Sequence, residues 1–221
     1  MSVGNPRRLK IAFNTSFREN ERDKNSIDAM PNQRYFLYLG RITQFKNVKF
    51  IVENFIKFRS ENQYREKIHL RIIGDVYGYE KISNADIEYR KSILSLITAE
   101  KAHQFISIEP ATDNVLGELS GAIALIVASK AEGAPLVLFE AMSVATPVLG
   151  ANVDGIRDFI AHDITGLLFE PGNELSFKKQ LSKFDEIQDL SQTLGMNSLT
   201  EYEKKYSNKI FFDNLRELFF E

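Results

Sequence analysis

The segment Ala128-Ser-Lys-Ala-Glu-Gly-Ala-Pro-Leu-Val-Leu-Phe-Glu-Ala-Met142 joins one apolar run to another. The run before it, residues 121–128 with Ala122-Ile-Ala-Leu-Ile-Val127 at its centre, reads as a strand buried on both faces. A polar turn with Glu132 and Gly133 follows, then Pro135 at a first helical position, then a helix. Strand, glycine turn and helix make an anion site, because the first N–H groups of a helix have no partner within it and point out of the sheet's carboxyl edge. Glu140 stands between Phe139 and Ala141 inside the apolar run 136–142. Burying an unpartnered carboxylate costs several kcal/mol, and a ligand diol donating two O–H hydrogen bonds would offset much of that. The plainer alternative leaves Glu140 on the exposed side of an amphipathic helix, where most glutamates lie.

Working back through the chain, Tyr35-Phe-Leu-Tyr-Leu39 reads as a strand, and Gly40-Arg-Ile-Thr-Gln-Phe-Lys46 as a loop. Asn47 is placed to cap a helix running to about Ser60, with Val48, Ile51, Val52, Phe55 and Ile56 on its apolar face. Residues 68–73 form a second strand ending at Gly74-Asp75, followed by a long polar excursion and a helix from about Asp86 to Thr98. A third strand at 105–108 closes with Glu109-Pro110, and Asp113 is placed to cap a short helix ending near Leu119. Beyond Met142 come a strand at Thr146-Pro-Val-Leu149, a short helix over 154–160, a turn at Gly166, a strand at 167–169 and Pro171-Gly172. The rest is helical from Asn173, ending in an apolar face of Phe211, Phe212, Leu215, Leu218 and Phe219.

Strand and helix alternate about six times, which predicts an α/β fold with a doubly wound, Rossmann-like parallel sheet flanked by helices. Residues 1–33 fit this pattern poorly: 9–13 can make one short strand, and 18–25 is a dense mixed-charge loop. They read as an extension preceding a domain of residues 34–221. Such sheets bind ligands at the carboxyl ends of their strands, where the loops 41–46, 74–75, 109–113 and 129–135 collect. Arg41 and Lys46 thereby share an edge with the helix after Pro135, and a guanidinium fork beside an ammonium suits a diphosphate. Read alone, the two cations fit a solvated loop equally well.

Composition narrows the rest. The 221 residues carry a net charge of -2, which provides no electrostatic reason for nucleic acid binding. Without cysteine there is no disulfide, zinc–thiolate site or cysteine nucleophile. His69, His103 and His162 lack metal-ligand spacing, and no Asp-x-Asp pair is present to clamp a metal-bound diphosphate, so protein cations and amides are expected to neutralise one without metal. No apolar stretch reaches the roughly 18 residues of a membrane span, and the N-terminus lacks an apolar signal core, so a cytoplasmic location is expected.

The ordered set Gly40-Arg41…Lys46, Gly74, Ser129-x-x-Glu132-Gly133-x-Pro135…Glu140-Ala141-Met142, Pro147-Val148, Gly155 and Gly166-Leu-Leu-Phe-x-Pro171-Gly172 resembles the C-terminal, donor-binding domain of GT-B retaining glycosyltransferases of the group 1 type. The resemblance runs from about Arg34 to Asn173. It implies one half of a GT-B fold, with a UDP-, GDP- or ADP-sugar as substrate, no cofactor, and a sugar moved to an acceptor hydroxyl with retention in surface polysaccharide or glycoconjugate synthesis. Position by position, it implies that Arg41, Lys46 and the amides of Leu136 and Val137 hold the diphosphate and Glu140 the ribose hydroxyls. Glu132 would contact the transferred sugar at the reacting carbon, with Gly133 admitting close approach; Gly74 lines the site, and Glu109 lies where the family contacts the base.

Departures from the pattern are Ala128 for a frequent Pro, Ala134 for an aromatic, Ala145 for a Gly and Asp158 for a Glu, of which Ala134 alters the rim of the sugar pocket. The family's acceptor site lies on an N-terminal domain of comparable size, for which 33 residues are too few. The chain is therefore expected to be the donor half of a longer enzyme, in preference to a naturally truncated protein, inactive alone and partnered by that domain, with peripheral membrane contact open to the whole. The competing readings are a non-catalytic nucleotide-sugar-binding scaffold, another GT-B enzyme such as an epimerase or phosphorylase, and a receiver-like domain. An epimerase or phosphorylase would need catalytic carboxylates, histidines or a cofactor lysine not found here. A receiver would need an acidic cluster where Gly40-Arg41 stands.

Overall fold

A computed structural model describes residues 34–61, 65, 67–74, 83–207 and 210. The expected strand at 9–13, the loop at 18–25 and the apolar face at 211–219 lie outside these residues. Six strands, β1 (Arg34–Leu39), β2 (Ile68–Ile73), β3 (Ile106–Glu109), β4 (Ala124–Val127), β5 (Val148–Ala151) and β6 (Gly166–Phe169), form one parallel sheet in the order 3-2-1-4-5-6. The helices are α1 (Val48–Ser60), α2 (Asn84–Ala99), α3 (Val115–Ser120), α4 (Leu136–Ser143), α5 (Glu174–Glu186) and α6 (Leu190–Lys205). Strand order reverses between β1 and β4, and a crevice opens at such a switch point in doubly wound sheets.

Side chains alternate between the two faces of a strand, and β1 shows what each face meets. Phe36 packs edge-on against Phe55 and Phe58 of α1 and Phe184 of α5, with ring centroids 6.1, 6.5 and 5.7 Å away. Its neighbour Tyr35 points the other way and donates its hydroxyl to the Glu118 carbonyl of α3 at 2.8 Å. Helices α1, α2 and α5 pack together, as do α3, α4 and α6. All four residues of β4 are buried, as the apolar run predicts. Each fully buried Phe or Leu in this core contributes about 1.5–3 kcal/mol. No helix among the described residues is long and apolar enough to cross a membrane.

Local details differ from the sequence reading where side-chain and backbone chemistry override composition. Residues 154–159 form successive turns where the sequence reading expects a helix over 154–160. Gly155 there has φ +75° and donates its N–H to the Asp158 carboxylate at 3.0 Å, so the polar residues close turns. Asn47 precedes α1 in a left-handed conformation (φ 57°) and makes no side-chain cap. Helix α3 starts after Asn114, leaving Asp113 outside it, and α2 starts two residues early because the Ser83 hydroxyl accepts from the Asp86 N–H. Pro135 sits at the cap position of α4 with an extended ψ of 121°, one residue before the helix. The C-terminal helical stretch is broken near Asp189, which is left-handed at φ 58°.

Candidate functional site

The carboxyl ends of β1, β2 and β3 are stitched together at two glycines. Gly40 donates its N–H to the Ile73 carbonyl at 3.0 Å, and Gly74 donates to the Glu109 carbonyl at 2.9 Å. A Cβ on Gly74 would stand 2.4 Å from the Gly40 carbonyl oxygen, and both residues have positive φ, so neither position tolerates a side chain. Gly74 thus lets the β2 loop lie flat on the β1 loop.

That β1 loop, residues 40–47, is anchored by fully buried Ile42 and by the Tyr38 hydroxyl, which donates to the Arg41 carbonyl at 2.6 Å. Arg41 is exposed. Across the switch point the loop meets residues 128–135: the Lys130 N–H donates to the Phe45 carbonyl at 3.0 Å, and the Lys46 ammonium donates to Glu132 Oε1 at 2.5 Å. The Lys46 and Glu132 side chains are 27% and 12% exposed, so the pair is largely withdrawn from water. From the other side the β5–β6 loop presses on the same turn. A Cβ on Gly155 would lie 2.0 Å from the Glu132 carbonyl oxygen, so Glu132 is held from both directions. A Cβ on Gly133, by contrast, would meet no protein atom within 4 Å, so neither packing nor a positive φ requires glycine there.

Helix α4 begins beside this turn. Its cap position is Pro135, which supplies no capping side chain, and Leu138 already bonds the Pro135 carbonyl at 3.0 Å. The amides of Leu136 and Val137 therefore point out of the helix without an intrahelical acceptor. Leu138, Phe139, Ala141 and Met142 are buried, which leaves Leu136, Val137, Glu140 and Ser143 on the outward stripe. Glu140 thus lies about 6 Å along the axis from Leu136, on one face with it. It is half-buried, and burial pushes its carboxyl above the usual range. Among the described residues its carboxylate has no hydrogen-bond or ion-pair partner. Neither a fully solvated surface glutamate nor a satisfied buried one describes it.

Glu109 is placed differently. Both its oxygens accept from Arg71, Nε to Oε1 at 2.9 Å and a terminal nitrogen to Oε2 at 2.5 Å, and the Ser107 hydroxyl also donates to it. These bonds hold its carboxyl below the usual range. Arg71 also binds Glu118 at 2.5 Å and covers the Tyr35 ring. Two donors on Oε1 and one on Oε2 leave an acceptor position on the 31% exposed Glu109 side chain for a further donor. The sequence reading missed Arg71; its signal was a permanent cation in the middle of a largely apolar strand, Ile68-His-Leu-Arg-Ile-Ile73.

Arg41, Lys46, Glu132, Gly133, the first turn of α4 and Glu140 therefore gather along one sheet edge, with free amides, two cations and a desolvated carboxylate. The sequence profile for glycosyl transferases group 1 matches residues 18–200. The chain is 25% identical over 194 residues to the alpha-1,3/1,6-mannosyltransferase ALG2 of Mus musculus, covering 85% of this chain and 46% of that protein. It thus spans about half the length of this curated relative. The fold superposes on Anabaena HepE, solved in complex with UDP, with a TM-score of 0.75 at 15% identity, covering 85% of this chain and 48% of that one. It also matches the C-terminal domain of the group 1 glycosyltransferase LpcC from Francisella tularensis, with a TM-score of 0.69 at 17% identity, over 80% of this chain and 88% of that domain. Sheet order, the assembled edge and a family match over most of the chain agree: this chain belongs to the group 1 glycosyltransferases.

Proposed function

We propose that this chain is the donor-binding half of a retaining glycosyltransferase, and that it binds a nucleotide-sugar at the carboxyl edge of its sheet. The observation that carries the reading is Glu140: a half-buried carboxylate without a partner among the described residues, one helical turn below two amides that lack an intrahelical acceptor. A nucleoside diphosphate has the complementary pattern, with phosphate oxygens for the amides and a ribose diol that donates to the carboxylate. That the similar HepE fold was solved in complex with UDP supports a nucleotide as the ligand.

In the whole enzyme an acceptor hydroxyl attacks the anomeric carbon as the bond to the donor phosphate breaks. The electron pair leaves with the diphosphate, which also takes up the acceptor's proton. Arg41, Lys46 and the amides of Leu136 and Val137 stabilise the charge that develops there, without a metal ion. Glu132 and the open space above Gly133 receive the transferred sugar. An N-terminal domain supplies the acceptor site, so the chain alone binds donor without transferring sugar. The acceptor belongs to surface polysaccharide or glycoconjugate synthesis, in the cytoplasm or at the inner membrane face.

Calorimetric titration with UDP, GDP and ADP, with and without EDTA, tests the reading on wild type, Glu140→Ala and Arg41→Ala. Saturable binding of one nucleotide that survives EDTA and is weakened by both substitutions is expected. Failure of all three nucleotides to bind the folded chain overturns the reading. Donor binding without transfer, even after an N-terminal half is supplied, would favour a non-catalytic binding protein.

A further inference from the structure

Lys46 and Glu132 sit in separate loops on opposite sides of the switch point, yet their side chains meet at 2.5 Å. The two loops cannot drift apart to relieve the contact, because the Lys130 amide is bonded to the Phe45 carbonyl and Gly155 backs the Glu132 peptide. Among the described residues Glu132 is the only carboxylate within 4 Å of the Lys46 ammonium. The lysine is therefore not a free cation awaiting a phosphate. A diphosphate arriving at this edge must draw the flexible lysine stem off the carboxylate, and then leaves a 12% exposed anion without its cation beside a second anion.

We propose that this ion pair makes the site favour the intact sugar nucleotide over the spent nucleoside diphosphate. The inference rests on the donor-binding reading. A sugar nucleotide replaces what it takes away: its phosphates accept from Lys46, while its sugar hydroxyls donate to the Glu132 carboxylate. A nucleoside diphosphate takes Lys46 and provides nothing for Glu132. Once the sugar has been transferred, its hydroxyls leave with the acceptor, Glu132 reclaims Lys46, and the diphosphate loses its cation. The pair thus opposes product inhibition with no moving segment beyond one lysine side chain.

The test uses the 221-residue chain. Dissociation constants are measured for UDP, GDP and ADP, and for UDP-glucose, GDP-mannose and ADP-glucose, in wild type, Glu132→Gln, Lys46→Met and the double variant. Glu132→Gln keeps the side chain's shape and removes its charge. It is expected to tighten the preferred nucleoside diphosphate roughly tenfold, the scale of close charge pairs at binding sites, and to tighten the matching sugar nucleotide much less. In the Lys46→Met background the same change is expected to tighten the diphosphate by clearly less than in wild type, since no lysine remains to compete for and only the direct repulsion between the two anions is relieved.

Unchanged or weaker diphosphate binding by a Glu132→Gln protein that unfolds at the wild-type temperature overturns the inference and leaves the donor reading standing. Equal tightening with and without Lys46 overturns it too, as does equal tightening of every sugar nucleotide and its diphosphate. No binding of any of the six compounds by wild type overturns both.

Discussion

Glu140→Gln separates what the fold needs from what the site needs. The carboxylate is half-buried, and nothing among the described residues compensates its charge, so the folded state bears a desolvation cost that the unfolded chain does not. Gln matches its size and helix propensity and carries no charge. The substitution should therefore stabilise the chain at pH 7 by about 0.5–1 kcal/mol, within the range of single stabilising changes at functional positions. For a domain of this size that raises the unfolding midpoint by roughly 1–4 °C. The folded carboxyl titrates above its usual 4.5. Wild type therefore bears no charge penalty below that pH, acquires it as pH rises through the folded value, and bears it fully above. The gap between variant and wild type should be negligible near pH 4.5 and grow to a plateau by neutral pH. Thermal and urea unfolding between pH 4.5 and 8 measures it. Nucleotide binding should move the opposite way, falling at least tenfold in the variant as the ribose loses its charged acceptor. A variant less stable than wild type at pH 7, or a gap that shrinks as pH rises, would refute the account of Glu140 as an unpartnered charge.

Three further perturbations probe the turn and the polar network beneath it. Gly155→Ala places a methyl 2.0 Å from the Glu132 carbonyl oxygen at a φ of +75°, and should cost about 2–4 kcal/mol in urea unfolding. Gly133→Ala adds a methyl where no protein atom lies within 4 Å, so stability should hold to within about 0.5 kcal/mol while sugar-nucleotide affinity falls in calorimetry. Arg71→Met strands Glu109 and Glu118, both partly buried, and should cost about 1–3 kcal/mol at pH 7. Because Arg71 holds Glu109 below its usual 4.5, that contribution is present above this pH and disappears as pH falls through the folded value. The difference between wild type and variant should narrow in unfolding experiments toward pH 3.

Much of the fold and part of the site could be read from local pattern. Alternating apolar runs and helical periodicities depend on neighbours along the chain, so the strands at 34–39, 68–73 and 124–127 and the helices between them were legible. Glu140 was legible for the same reason, since a carboxylate inside an apolar helical run is anomalous before any contact is known. The strained details were not. Residues 154–160 carry helical composition, yet the Gly155 N–H and Asp158 carboxylate close a turn that lets the backbone rest on Glu132. The sequence alone thus determined an α/β sheet, its candidate ligand-binding edge and the residue types along that edge, because periodicity and charge are properties of short segments. Only the tertiary structure set β1 beside β4, and with it Lys46 against Glu132 across 86 residues, and matched Arg71 to Glu109 across 38. Strand order follows from how crossover helices pack on two faces, which no single segment encodes. The partner a charged side chain finds at the edge, and so the work it does there, depends on that order.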